Sequence, residues 1–273
     1  MKTKLTVIVD NISTDGIIGE WGLSILAEHR GNKILIDTGA SDLFVNNMSK
    51  LDIDIEDIDF GVLSHAHYDH ANGMPAFFEH NEKAQFYLRE TTAEDCYFKL
   101  FFVHKYIGIP RHVTEDYRDR IKFVSGDYNL CDGAYLIPHK TKNLDKIGKR
   151  EMMYRHTDNG WKPDDFSHEQ SLVLDTERGL VIINSCSHGG AANIINEVKR
   201  TFPDKHIYGL IGGFHLCNKS RKEVQRVGRQ IKDTGIDYVC TGHCTEKKAY
   251  TILKEELGDR LEQLRVGLRI DLG

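Results

Sequence analysis

The opening stretch of the chain sets short apolar, β-branched runs between turn residues. Lys4–Val9, Leu23–Glu28 and Lys33–Asp37 read as strands, with Gly31-Asn32 as the hairpin turn between the last two. Asp37-Thr38-Gly39 breaks the third run, and Leu43, Phe44, Asn47 and Leu51 then recur at helical spacing across Ser41–Leu51. Phe60–Leu63 is a short apolar strand that runs straight into a cluster of histidines. The middle of the chain is less periodic. It predicts a helix over Ala93–His104, strands at Gln85–Leu88 and Ile121–Val124, and a charged stretch from His139 to Arg150. The region from about 75 to 165 therefore reads as a helical or irregular insertion or lid within a single domain spanning 1–273.

Regular alternation returns in the last third. Ser171–Asp175 and Leu180–Asn184 form a predicted hairpin turning at Glu177 to Gly179. Helix Ala191–Phe202, strand His206–Ile211, helix Ser220–Thr234, strand Ile236–Cys240 and helix Glu246–Leu257 follow. Strands first, then strand and helix in alternation, predict a layered α/β protein with helices packed outside sheets.

Composition narrows the class. With 273 residues, 36 Lys+Arg against 41 Asp+Glu and a net charge of −5, the chain lacks the basic excess of a generic nucleic-acid binder. No apolar run approaches the roughly 18 residues of a membrane span, and Asp10 interrupts the first apolar run too early for a signal peptide. A cytoplasmic protein is the expectation. Six cysteines without a C-x-x-C pair do not form a disulfide framework, which fits a reducing compartment. The unusual feature is 14 histidines.

Their placement explains the excess. In Ser64-His65-Ala66-His67-Tyr68-Asp69-His70, three imidazoles and a carboxylate fall within six residues at the end of an apolar strand. Residues two apart in an extended segment face one side, so His65, His67 and Asp69 converge, and His70 approaches where the chain turns. Imidazole nitrogens and carboxylate oxygens suit zinc, iron or manganese.

The H-x-H-x-D-H pattern at 65–70, preceded by Asp37-Thr38-Gly39 and Phe60–Ser64, resembles the metallo-β-lactamase superfamily. Within it the chain is most similar to the stand-alone, dihydropterin or ribofuranosylaminobenzene-phosphate synthase-like branch. Segments 20–24 (EWGLS), 166–172 (FSHEQSL), 185–188 (SCSH), 212–216 (GGFHL) and 241–244 (TGHC) carry that likeness. The resemblance implies a four-layer αββα sandwich with two divalent transition metals, zinc first among them, held at one edge of the sheets. It further implies that His65, His67 and His168 hold one metal, and that Asp69, His70 and His243 hold the other. Where the superfamily has a bridging aspartate this chain has Cys186, with His188 two residues on. Either the Cys186 thiolate bridges, favouring softer metals, or Cys186 is a packed core thiol and His188 ligates.

A metal-bound hydroxide would then attack an ester, amide or phosphoester of a small molecule, because metal binding lowers the pKa of water from 15.7 to about 7. Asp69 would orient that hydroxide, and His188 or His215 would protonate the leaving group. A phosphorylated or pterin-like substrate follows from the resemblance alone, and aromatic residues of the middle region (Phe98, Phe101, Phe102, Tyr106, Tyr154) would shape its pocket. Gly189-Gly190 after His188 begins a helix whose free N–H groups suit an anion. His29, His80, His112, His139 and His206 read as solvated, and so does His104, the alternative being a basic patch with Lys105 and Arg111 that meets a phosphate or carboxylate. Cys240 and Cys244 lack the spacing of a zinc knuckle. Three rivals share the fold: a diiron redox protein, a tRNA-processing nuclease, which the acidic balance disfavours, and a non-catalytic metal-binding sensor.

Overall fold

The computed structural model describes residues 2–14 and 16–273. Two seven-stranded sheets face each other. The first runs Arg269–Asp271, Thr3–Val9, Ser24–His29, Asn32–Ile36, Phe60–Val62, Gln85–Arg89, Ile121–Val124; the second runs Leu261–Gln263, Tyr238–Thr241, Ile207–Gly212, Gly179–Ile183, Gln170–Thr176, Ala134–Pro138, Tyr128–Cys131. Both sheets are covered on both sides, which is why their strands read as nearly continuous apolar runs. Alternation still sorts the residues. Val181, Ile183 and Ile211 point into the core between the sheets with Leu5, Ile36 and Val62. Leu180, Ile182 and Leu210 face outward, onto helices Ala191–Thr201, Arg221–Asp233 and Glu246–Leu257. Helices Leu43–Lys50 and Met74–His80 cover the outer face of the first sheet through Phe44, Met48, Met74 and Phe77. The result is the expected αββα sandwich.

The middle region departs from expectation. Ala93–His104 is not a helix: Cys96–Leu100 and Val103–Tyr106 form a hairpin that turns at Phe101, where φ is +50°. Its aromatic and β-branched residues favour the pleated surface of a small sheet completed by Met153–Thr157 and Gly160–Pro163. Nor does 75–165 stand apart as an insertion, because four of its strands extend the two main sheets. Only the four-stranded sheet is additional, and it is fastened to the histidine loop by the Tyr68 N–H donating to the Ile107 carbonyl at 2.9 Å. Of the pocket aromatics expected here, Phe98 lines the cavity beside that loop, whereas Phe101 and Phe102 sit exposed at the hairpin tip.

Two histidines read as solvated are buried. His29 pairs with the Thr3 hydroxyl at 2.8 Å. The His139 side chain lies between Glu169 at 3.0 Å and Glu197 at 3.3 Å. Both depend on partners far away in sequence, which local polarity does not reveal. His80, His112 and His206 are exposed as expected.

Candidate metal centre

One edge of the sandwich gathers the loops that follow the strand ends. The strand Phe60–Val62 delivers His65, His67, Asp69 and His70; Gly179–Ile183 delivers Cys186 and His188; Ile207–Gly212 delivers His215; Tyr238–Thr241 delivers His243 and Cys244. Backbone strain collects there: Asp37, Ser187, His215 and His243 all have positive φ, between 45° and 61°. Non-glycine residues held in that region are concentrated at functional sites. Gly213 lets the strands close up, since a Cβ there would stand 2.5 Å from the Cys244 sulfur and 2.6 Å from the Ser185 carbonyl oxygen.

Hydrogen bonds set the direction in which each imidazole presents a lone pair. The Ser64 hydroxyl donates to Asp37 Oδ2 at 2.7 Å, so its oxygen accepts from His65 Nδ1 at 2.8 Å. Asp37 Oδ2 also accepts from His70 Nδ1 at 2.8 Å and from the Ser185 hydroxyl at 2.5 Å. Asn11 Oδ1 stands 3.2 Å from His243 Nδ1, and Asp10 accepts the His243 backbone N–H at 2.9 Å. Each ring thus engages its partner through Nδ1 and turns Nε2 inward, the orientation a metal ligand needs. Asp37 belongs to the Asp37-Thr38-Gly39 segment of the resemblance, but the sequence assigns no ligand-orienting role to it, to Asp10 or to Asn11; the carboxylates at two strand ends are the signal for that role.

The inward atoms form adjoining groups. His65, His67 and His188 bring donor atoms within 4.8 Å of one another, and so do Asp69, His70 and His243. Among the described residues, the Nε2 atoms of His65 and His67 and both ring nitrogens of His188 are buried without a hydrogen-bond partner. His70 Nε2 and His243 Nε2 face each other at 3.2 Å, with Asp69 Oδ2 at 3.8 and 3.4 Å. Orphaned buried acceptors are costly, and divalent cations would satisfy one ring nitrogen on each of His65, His67 and His188.

Cys186 sits between the groups. Its sulfur is 3.3 Å from His70 Nε2 and 3.5 Å from the Cys244 sulfur, and it belongs to donor sets with both His65/His70 and His243/Cys244. Cys244, set aside at the sequence level, is therefore part of the centre, while Cys240 packs in the core between the sheets.

His168 is placed differently from the resemblance. Its Nδ1 accepts the Ala66 N–H at 3.1 Å and its Nε2 pairs with Asp164 at 3.1 Å. Both nitrogens are consumed, so His168 braces the His65–His67 loop from behind, and His188 completes the group with His65 and His67. With His67, Cys96 and Asp164, His168 also forms a further group whose donor atoms lie within 4.8 Å of one another.

Electrostatics differ between the two groups: against the lowering effect of burial, Cys244 and Asp69 raise the His243 pKa to about 9, so an ion held there would displace a proton, whereas the other group is already neutral. Burial lowers the pKa values of His65, His67 and His188, assisted by the neighbouring imidazoles, and His67 falls to about 4. These rings are neutral and able to ligate at pH 7. Burial alone would raise the Asp69 carboxyl, but His70 and His243 hold it far below the usual carboxylate range.

A cavity of about 160 Å³ opens over the centre, lined by Trp21, His67, Asp69, Phe98, Met153 and His215, among others. His215 packs against His188 with the rings tilted at 49° and 4.6 Å between their centres. A second cavity of about 210 Å³ continues from His188 and His215 toward the N-terminus of helix Ala191–Thr201.

Fold and donor set together define a metal-binding αββα protein with its centre at the sheet edge. The family model of the metallo-β-lactamase superfamily matches residues 22–191, more than half of the chain, and the chain belongs to that superfamily as an enzyme of its fold. It is 27% identical over 263 residues to the 7,8-dihydropterin-6-methyl-4-(β-D-ribofuranosyl)-aminobenzene-5'-phosphate synthase of Methanocaldococcus jannaschii, covering 90% of this chain and 88% of the relative. Tm1679, described as a metal-dependent hydrolase of the β-lactamase superfamily, superposes with a TM-score of 0.85 at 28% identity, covering 98% of each chain. A diphosphatase of the PhnP family shares the fold at 12% identity and a TM-score of 0.57, covering 99% of this chain and 97% of that one.

Proposed function

We propose that this protein is a metal-dependent hydrolase of a small molecule, with two divalent transition metals and zinc as the first choice. The observation that carries the reading is the set of buried, partnerless imidazole nitrogens on His65, His67 and His188 beside the Asp69–His70–His243 group. His65, His67 and His188 would hold one ion, Asp69, His70 and His243 the other, with the Cys186 sulfur reaching both. A thiol in the set favours zinc or iron over manganese. When bound, such ions acidify water and polarise the attacked carbonyl or phosphoryl group. The chain's own residues do the rest. Asp69, on the cavity wall, would orient the nucleophilic water, and Phe98 and Met153 line the same cavity and would limit access of bulk solvent. His215, at the mouth of the cavity and against His188, is positioned to give a proton to the leaving group.

The name of the Methanocaldococcus relative contains a dihydropterin and a phosphate, which supports a flat, phosphorylated substrate. The partly exposed Trp21, 5.2 Å from the His243 ring and on the cavity wall, suits stacking of such a ring. No helix among the described residues is long and apolar enough to cross a membrane. We propose a cytoplasmic setting, with neither nucleic acid nor membrane as a partner.

Elemental analysis of purified protein, joined to a panel of chromogenic esters and phosphoesters run on apo and reconstituted samples, tests the reading. The expected result is one to two ions per chain and turnover that disappears on chelation and returns with zinc. His67→Ala should lose at least one ion and the activity; retention of both would sink the assignment, and binding without turnover would leave a metal-dependent sensor.

A further inference from the structure

The cavity that runs from His188 and His215 to the start of helix Ala191–Thr201 is walled by Arg150, Lys219 and Arg226. Its floor is the turn Ser187–Gly190. Gly190 takes the N-cap position with φ at +93° and supplies no side-chain cap, leaving the first-turn N–H groups of an 11-residue helix without a carboxylate or hydroxyl of the chain's own. Ser187 also lines the cavity, only 2% exposed, and its hydroxyl has no hydrogen-bond partner among the described residues. A buried serine hydroxyl is ordinarily satisfied, so this one marks a place for something the chain does not provide.

The charges around it identify the missing group. Glu151 engages Lys219 and sits 2.9 Å from Arg150, while Glu223 is engaged by the Ser220 N–H and hydroxyl in a capping box. Three cations therefore face two acids that already have partners, and Arg226, on the exposed face of helix Arg221–Asp233, has no carboxylate partner among the described residues. Helix N–H groups, a hydroxyl and a guanidinium converging on one cavity match a tetrahedral oxyanion.

We propose that this cavity is a phosphate subsite, which seats a phosphate monoester group of the substrate beside the metal centre rather than at it. It rests on the reading of that centre as the place of reaction. His188 and His215 line both cavities, so a substrate with its phosphate against Ser187 and the first turn of the helix would present the rest of its body to the metals.

Inorganic phosphate is the probe, titrated by calorimetry into the metal-loaded protein and into the chelator-treated His67→Ala variant. Phosphate should bind both, because the subsite does not use the metals. Arg226→Ala, at an exposed position that does not threaten folding, should weaken phosphate binding on the order of tenfold, the size of one charge-assisted contact, with metal content unchanged; Ser187→Ala should act in the same direction. Binding that vanishes with the metals and ignores both substitutions would overturn the subsite, as would no binding to either sample. Neither outcome bears on metal content or ester turnover, which judge the hydrolase reading by themselves.

Discussion

Asp37 shows how much one side chain can organise. Fully buried, it accepts from the Ser64 hydroxyl and backbone, the Ser185 hydroxyl and His70, and through Ser64 it also fixes His65. Two rings from opposite proposed metal positions are aimed by a single carboxylate. Partners of this kind are typically worth about 10–100-fold in metal affinity. Asp37→Ala should therefore weaken zinc binding within that range, as read by competition with a chromophoric chelator, while leaving the ligand side chains in place. Unchanged affinity would remove Asp37 as the anchor. His168 offers a contrasting case, where hydrogen bonds to Ala66 and Asp164 engage both ring nitrogens. No rule of spacing separates His168 from His188; only the partners do.

At the scale of elements, strands with both faces buried and the helix capped by Ser220 fold where local pattern puts them. That helix has its capping box and an apolar face of Val224 and Ile231. The hairpin at 96–106 does not follow local pattern, because its aromatic run satisfies a helical period and a strand period alike, and pairing with Met153–Thr157 decides the matter. The site loops depend on close strand approach in the same way. Gly213→Ala would force a methyl against the Ser185 carbonyl and the Cys244 sulfur, at 2.6 and 2.5 Å from its Cβ. Overpacking of this kind costs about 1–3 kcal/mol, so thermal unfolding should come several degrees earlier and metal content should drop. A variant as stable and as metal-rich as the parent would show that the loops yield without cost.

Across the molecule, His139 ties the layers together. It follows strand Ala134–Pro138 and bridges Glu169, which leads into the neighbouring strand, to Glu197 on the covering helix. Burial alone would lower its pKa, but the two carboxylates raise it to about 10 from 6.5. The protonated ring is thus bound more tightly in the folded state than in the unfolded one. Its contribution to stability is whole below pH 6.5, declines as pH rises, and is gone once pH passes about 10. Denaturant midpoints should fall across that window in the parent protein and fall less in His139→Gln. The variant should also lose about 3–5 kcal/mol near neutrality, since it strands two buried acids. Equal pH slopes in the two proteins would show that His139 is not the group responsible.

Much of this protein is legible in one dimension. The period-two and helical runs predict a layered α/β protein, and His65, His67, Asp69 and His70 lie so close together that local geometry alone makes them converge. The rest of the centre is assembled across long separations: Asp37 with Ser185, Cys186 with Cys244, and His188 beside His65 and His67. Local sequence determines which groups are able to bind a metal, because that is chemistry and spacing. Which of them keep a free lone pair is decided by hydrogen-bond partners, and those partners meet only when the two sheets have closed on each other.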